Sequence, residues 1–142
     1  MLSEQNEQFV AVCASVERQD LVRQFVKSWQ SVTPEPRPEL VIVASGDDDG
    51  TAGWCENQNL TVIRSAETLC FAKAYNLGVK AAIEKVPTAE WLLLFNNDLI
   101  LQPGMWDAIA AMQTAHYDII GAKLLYPPEN HSHAGQIQHV GK

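Results

Sequence analysis

Runs of consecutive apolar residues recur along this chain. Each gives way to a short polar cluster, and most are followed by a stretch with helical spacing. Phe9-Val10-Ala11-Val12-Cys13-Ala14 predicts a first buried strand, and Leu40-Val41-Ile42-Val43-Ala44 a second, rich in β-branched residues. Leu60-Thr61-Val62-Ile63-Arg64 predicts a third, shorter strand. Trp91-Leu92-Leu93-Leu94-Phe95 is an unbroken apolar run and reads as a fourth strand, buried on both faces as in a parallel sheet. Between them, Arg18 to Val32 predicts a helix with Leu21, Phe25, Ser28/Trp29 and Val32 on its apolar face. A short helix is expected through Trp54, and Phe71 to Val86 predicts a long one rich in alanine. Pro103 and Gly104 open another, with Met105, Ile109 and Met112 along one side. Asp118-Ile119-Ile120-Gly121 predicts a fifth strand, Leu124-Leu125-Tyr126 a sixth, and Gln136 to Val140 a last one. Pro34, Pro36 and Pro38 forbid regular structure, Pro87 closes the long helix, and Tyr126-Pro127-Pro128-Glu129-Asn130 reads as a turn. Gly78 lies inside the long helix, where it costs about 1 kcal/mol relative to alanine. That cost predicts close packing or a ligand nearby.

Strands alternating with helices imply an α/β class: a Rossmann-like domain whose mostly parallel sheet carries helices on both faces. Three polar clusters follow strands: Ser15 to Arg18, Ser45 to Thr51, and Asn96-Asn97-Asp98. In a parallel sheet all three fall at one edge, just outside the carboxyl ends of the strands, where such folds bind ligands. Asp98 offers hard oxygen donors for Mg²⁺ or Mn²⁺, and such an ion holds a diphosphate. Asp47-Asp48-Asp49 sets like charges side by side, which favours an exposed turn or a bound cation. There is no Gly-x-Gly-x-x-Gly run and no Gly-Lys-Ser/Thr phosphate loop, which argues against a nicotinamide dehydrogenase and an ordinary P-loop NTPase.

Composition narrows the field further. A chain of 142 residues is most simply one domain, here a tail over residues 1–8 and a domain over residues 9–142. The net charge is −7, with ten basic residues against seventeen acidic ones, so no nucleic-acid footprint is present. Cys13, Cys55 and Cys70 are an odd, widely spaced set, which reads as reduced thiols in a cytoplasmic protein. No apolar run approaches the roughly 20 residues of a membrane span. His131 and His133 read as surface histidines rather than a metal site, and His116 falls at a helix end, where a cationic side chain suits the dipole. Trp29, Trp54, Trp91 and Trp106 read as core or partial core, although Trp54 follows the acidic loop and is placed to stack on a base.

Taken together, these segments resemble the family 2 glycosyltransferases, whose fold is called GT-A. Ser15-Val16-Glu17-Arg18 is similar to the family's Thr-Tyr-Asn-Arg turn, with Glu17 in place of Asn. Val43-Ala44-Ser45-Gly46-Asp47-Asp48-Asp49-Gly50-Thr51 resembles its Val-Asp-Asn-Gly-Ser-x-Asp-Gly-Thr segment, with Ala44 where a nucleoside-binding Asp is usual. Phe71-Ala72-Lys73-Ala74-Tyr75-Asn76-Leu77-Gly78 follows its Phe-Ala-x-Ala-x-Asn-x-Gly half-motif, preceded by Cys70 in place of Gly. Asn96-Asn97-Asp98 resembles its Asp-x-Asp-type metal motif. Gly121 to Pro127 and Gln136 to Gly141 look like its Gly-x-Lys-Leu-Leu-Tyr-Pro and Ile-Gln-His-Ala-Gly segments.

The resemblance implies a nucleotide-diphospho-sugar donor, a divalent ion (Mg²⁺ or Mn²⁺) held by Asp98, and transfer with inversion to a glycan, lipid or other acceptor. It implies donor contacts from Ser15, Arg18, Ser45, Asp47, Asp49, Asn76, Asn96 and Asn97, with the task of the absent carboxylate at Ala44 moved to Asp47 or Asp48. The family's general base lies downstream of the segment around Gly141, so the chain reads as a donor-binding half, truncated at its C-terminus. The sheet edge left open predicts a homodimer. Two alternatives remain at this point: a catalytically inactive nucleotide-sugar-binding module, and an interaction domain of the same fold.

Overall fold

The computed structural model describes residues 7–127 and 134–139. His131, His133, Pro128 to Asn130, and Val140 to Lys142 lie outside the described residues, so the expectations on them are not taken further. The chain divides into two compact units, Met1–Pro103 and Gly104–Lys142.

The first unit is built on β1 (Phe9–Val16), α1 (Gln19–Val32), β2 (Glu39–Ser45), α2 (Thr51–Asn57), β3 (Thr61–Ser65), α3 (Phe71–Lys85) and β4 (Trp91–Asn96). The four strands form one parallel sheet in the order β3-β2-β1-β4. Strand alternation sends Val10, Val12, Val41 and Val43 to one face, where they form a core with Ala74, Tyr75 and Ala82 of α3. The opposite face carries Phe95, whose ring meets Phe25 and Trp29 of α1 at centroid distances of 5.4 and 5.8 Å. The expected α/β layering, helix on sheet on helix, is therefore present.

Several expectations are corrected. The buried face of α1 consists of Val22, Phe25, Val26 and Trp29, while Leu21 and Val32 are only half-buried. Helical spacing admits both stripes, and contact with the sheet selects the one centred on Phe25. The run Trp91 to Phe95 is not buried on both faces. β4 stands at the edge of the described sheet and alternates between half-buried and exposed, with Leu94 at 52% exposure. Trp91, Leu93 and Phe95 share the α1 face, whereas Leu92 and Leu94 share the α3 face, where the cover given by α3 runs out.

Gly78 is resolved in favour of packing. A Cβ placed there would stand 2.3 Å from Val12 Cγ1 and 2.9 Å from Val43 Cγ2. Only glycine lets α3 lie this close to the sheet.

The second unit contains α4 (Met105–Thr114) and a two-stranded antiparallel pair, β5 (Leu124–Leu125) with β6 (Ile137–His139). Gly104 enters α4 at φ +88°, a backbone state that suits glycine. Met105 and Ile109 are half-buried, Met112 is exposed, and His116 sits just past the helix end at φ +59°. The strand expected over Asp118 to Gly121 does not form. The segment pairs with no neighbour among the described residues, and Ile119 is 91% exposed. A β-branched run becomes a strand only when a ladder partner takes up its N–H and C=O groups.

Candidate functional site

The polar clusters predicted from sequence meet at the carboxyl edge of the parallel sheet. Three sets of hydrogen bonds tie their loops together. Asn97 Nδ2, after β4, donates to Ser15 Oγ on β1 at 2.9 Å. The Asp47 N–H, after β2, donates to Glu17 Oε1 at 2.7 Å. The Gln19 N–H donates to Asp49 Oδ2 at 2.9 Å, and Gln19 Nε2 donates to the Asp49 carbonyl at 3.1 Å. Gly46 (φ +91°) and Gly50 (φ +86°) turn the second loop, and each lies against the side chain that clamps it: Glu17 and Gln19 respectively. Glu17, which the sequence marks only as standing in place of the family's Asn, and Gln19 are not among the expected donor contacts, because nothing in their spacing marks a loop-to-loop clamp.

A cavity of about 290 Å³ opens between the ends of β1, β2 and β3. Ser15, Ser45, Asp47, Asp48, Asp49 and Thr51 line it, together with Ala44 and Arg64. Ser45 is buried, and its Oγ accepts from the Leu69 N–H at 3.3 Å. Asp48 Oδ1 accepts from the Gly50 N–H, and Asp49 Oδ1 from the Thr51 N–H, both at 3.0 Å. The acidic loop is thus partly self-satisfied by backbone donors. Burial raises the Asp49 carboxyl, but the Thr51 hydroxyl and the N–H groups of Thr51 and Gln19 outweigh it, so the net shift is below the ordinary value.

That shift carries a pH dependence. A carboxyl depressed in the folded state stabilises above its unfolded value of 3.8 and loses that contribution as pH falls through the lower folded value. The Gln19 amide is therefore expected to lose hydrogen-exchange protection in that acidic window, sooner than the core amides of β1. Equal loss at both places would mean that Asp49 does not hold the clamp.

Other predicted residues stand apart from this cavity. Arg18 pairs with Asp20 through two hydrogen bonds, of 3.0 and 2.9 Å, and does not line it. Asn76 is exposed on α3, and Asn96 is exposed at the end of β4. Trp54 receives the Arg23 guanidinium over one face of its ring at 5.2 Å and is not among the lining residues.

Asp98 is exposed just beyond β4. It lies near enough to Cys13 and Tyr75 to contribute, after burial, to raising both groups; Tyr75 is pushed up to about 12. The Tyr75 hydroxyl donates to the Phe95 carbonyl, which fixes α3 to the strand that carries this carboxylate. Burial also pushes the Cys13 thiol far above its ordinary value and Cys55 up to about 11, so both are inert core thiols, whereas Cys70 is exposed. Among the described residues, no three or more His, Cys, Asp or Glu side chains gather as a closed metal cage. The oxygen donors at the end of β4 are the Asp98 carboxylate and the side-chain amides of Asn96 and Asn97.

The sequence model of glycosyl transferase family 2 matches residues 9–139. The chain belongs to that family. Its members transfer sugars. The crystal structure of S. aureus TarS superposes with a TM-score of 0.61 at 21% identity, covering 80% of this chain and 21% of that one. At that identity the likeness shows the fold, and this chain spans about a fifth of the length of TarS. No curated protein sequence gives a significant match. None of the described helices is long and apolar enough to cross a membrane.

Proposed function

We propose that this chain binds a nucleotide-diphospho-sugar across the carboxyl edge of its sheet and serves sugar transfer with inversion. The observation that carries the reading is the joining of the loops after β1, β2 and β4 through Ser15–Asn97, Glu17–Asp47 and Gln19–Asp49. Strands lie about 4.8 Å apart, so β3 and β4 are separated by roughly 14 Å along this edge. A nucleoside diphosphate fits that span with its base over β2 and β3 and its diphosphate over β1 and β4.

A divalent ion suits the donor set at the end of β4. Mg²⁺ and Mn²⁺ accept one or two carboxylates and complete their shells with water and substrate phosphate oxygens. Asp98 supplies the carboxylate, with Asn96 and Asn97 beside it, so a closed cage is not required. When bound, the ion supplies charge neutralisation for the leaving diphosphate. Ser15 and Asn97 hold each other and keep the β1 and β4 loops in register beneath the diphosphate. Ser45, Asp47 and Asp49 shape the nucleoside end, while Arg18, just before α1, and Asn76 on α3 lie outside the cavity and would meet the donor only beyond it. In the transfer, an acceptor hydroxyl attacks the anomeric carbon and loses its proton to a general base. The bond to the diphosphate breaks, and the diphosphate leaves with the electron pair.

Retained binding without turnover is the second reading, favoured by Ala44 in place of the usual nucleoside-binding carboxylate. Donor hydrolysis or transfer separates the two. In either case UDP or dTDP with Mn²⁺ is expected to raise the melting temperature, since a ligand selective for the folded state stabilises it. Absence of any shift with the whole nucleotide panel would remove both readings. Replacing Ala44 with Asp is expected to strengthen uridine nucleotide binding by about tenfold, on the scale of one charge-assisted hydrogen bond. Calorimetry on the A44D variant checks this, and an unchanged Kd would mean that the base is held elsewhere in the cavity. A homodimer through the open edge of β4 belongs to the same proposal and is tested by sedimentation.

A further inference from the structure

The most exposed aromatic residue among the described ones stands beside the β4 end of the site. Phe71 opens α3 at 67% exposure. A lone apolar side chain on a surface needs no explanation. This ring differs in being held in place. Its centroid lies 4.3 Å from that of Tyr75, with 34° between the ring planes. Tyr75 is buried, and its hydroxyl donates to the Phe95 carbonyl of β4. Phe71 therefore leans on a fixed neighbour while most of its surface stays open to solvent. A side chain already ordered in the free protein binds a ligand without the usual cost of ordering.

The surroundings decide what such a ring suits. The Phe95 carbonyl that anchors Tyr75 directly precedes Asn96, and Asp98 is close enough to act on the Tyr75 hydroxyl electrostatically. Asn76, next after Tyr75 on α3, is exposed, as are Asn96 and Asp98. An open aromatic ring near amides and a carboxylate matches a ligand that is apolar on one face and polar around its rim. A pyranose is such a ligand. Its C–H groups carry a small positive charge and settle on the negative π face of an aromatic ring, while its equatorial hydroxyls stay free to meet amides and carboxylates. An alkyl chain laid over the same place would cover those polar groups without a hydrogen bond, which costs free energy.

Resting on the donor-binding reading above, we infer that Phe71, braced by Tyr75, is a stacking platform for a pyranose ring at the β4 end of the site. That ring is the donor's own sugar or a saccharide acceptor, since both present the same C–H face. An axial hydroxyl on that face would hold the sugar off the ring, so Phe71 bears on which sugars are accepted.

The test compares Phe71→Ala, Phe71→Leu and Phe71→Trp with the wild type on the full chain. Leucine keeps apolar bulk without a π face, and tryptophan keeps the face. Because Phe71 is largely exposed, all three are expected to fold, and melting curves verify it. Calorimetry with Mn²⁺ uses UDP and dTDP against UDP-glucose, UDP-galactose, UDP-N-acetylglucosamine and dTDP-glucose. If the donor's sugar stacks, the alanine and leucine variants lose about tenfold in affinity for the preferred sugar nucleotide, and the tryptophan variant does not. UDP and dTDP, which lack the ring, are unchanged in every variant. If the acceptor stacks, sugar nucleotides are unchanged. Saturation-transfer NMR on the protein loaded with UDP and Mn²⁺ then shows contact between aromatic protons and methyl glycosides of glucose, galactose, mannose or N-acetylglucosamine, and Phe71→Ala and Phe71→Leu remove it. Wild-type behaviour of the alanine variant in both arms would overturn the inference and leave donor binding standing. So would a fall in UDP affinity parallel to that for the sugar nucleotides, or a leucine variant as good as the wild type. If neither UDP nor dTDP nor any sugar nucleotide binds the wild type, the donor-binding reading itself fails.

Discussion

Asp98→Ala is expected to abolish the metal-dependent part of the proposed nucleotide binding and to leave the fold intact. The carboxylate is exposed beyond the end of β4, so its removal opens no cavity and strands no buried partner. Surface changes of this kind usually alter stability by about 0.5 kcal/mol or less. The effect on binding is much larger. Asp98 is the only acidic side chain between Glu90 and Asp107, and its two amide neighbours, Asn96 and Asn97, carry no charge to replace it. Under the proposed donor site, a Mn²⁺ ion would then lose its anionic protein ligand, and the diphosphate would meet the carboxyl edge without neutralisation. The expected loss in the Mn²⁺-dependent affinity for UDP or dTDP is on the order of a hundredfold, about 2.7 kcal/mol at 1.4 kcal/mol per factor of ten. Calorimetry with and without Mn²⁺ reads it directly. Asp98→Asn retains shape and removes charge, so it is expected to behave like the alanine variant. If either variant keeps wild-type affinity with Mn²⁺, the ion is held elsewhere and Asp98 has no metal role.

Gly78→Ala is expected to be the most damaging small substitution in the core. Alanine gains about 1 kcal/mol over glycine inside an exposed helix. Here the added Cβ would stand 2.3 Å from Val12 Cγ1 and 2.9 Å from Val43 Cγ2, and both valines are fully buried in central strands. Neither can swing aside, so α3 must lift from the sheet. Overpacking of this kind costs about 1–3 kcal/mol, occasionally more, and the contact distances favour the upper end. The net expectation is a loss of about 2 kcal/mol, which at about 2–4 °C per kcal/mol lowers the melting temperature by roughly 6 °C. Lifting α3 also disturbs Tyr75, whose hydroxyl holds the Phe95 carbonyl next to the site, so nucleotide affinity is expected to fall with stability. Pairing Gly78→Ala with Val12→Ala should recover part of the loss, because the two changes share one contact. A Gly78→Ala variant that melts at or above the wild-type temperature would show that α3 does not need its close approach.

Much of the first unit is legible in the chain. β1 and β2 follow from their apolar runs, because their burial is nearly complete, and the long α3 follows from its helical spacing and alanine content, with one face buried against the sheet. The convergence of polar clusters at one edge follows as well, since parallel strands with right-handed crossovers carry all their C-terminal ends to the same side. What spacing leaves open is which neighbour each element finds. The α1 stripe is settled by the sheet face it meets, and the apolar run of β4 gives no sign that Leu92 and Leu94 lie beyond the cover of α3. Asp118 to Gly121 has strand composition without a ladder partner among the described residues.

The same division holds at the site. Ser15, Ser45, Asp47, Asp49 and Asn97 are visible because short polar residues follow buried runs. Glu17, Gln19 and Arg64 are not, since their placements depend on contacts across 30, 30 and 8 residues of chain. Arg64 does carry one overlooked signal: it stands at the end of a third parallel strand, and so at the same edge as the others. The sequence by itself determined the fold class and the edge that carries the polar clusters, because hydrophobic period and strand direction are local properties. Only the tertiary structure decided which side chains clamp the loops, which cation lines the cavity and why Gly78 must be glycine, because each depends on distances between segments far apart along the chain.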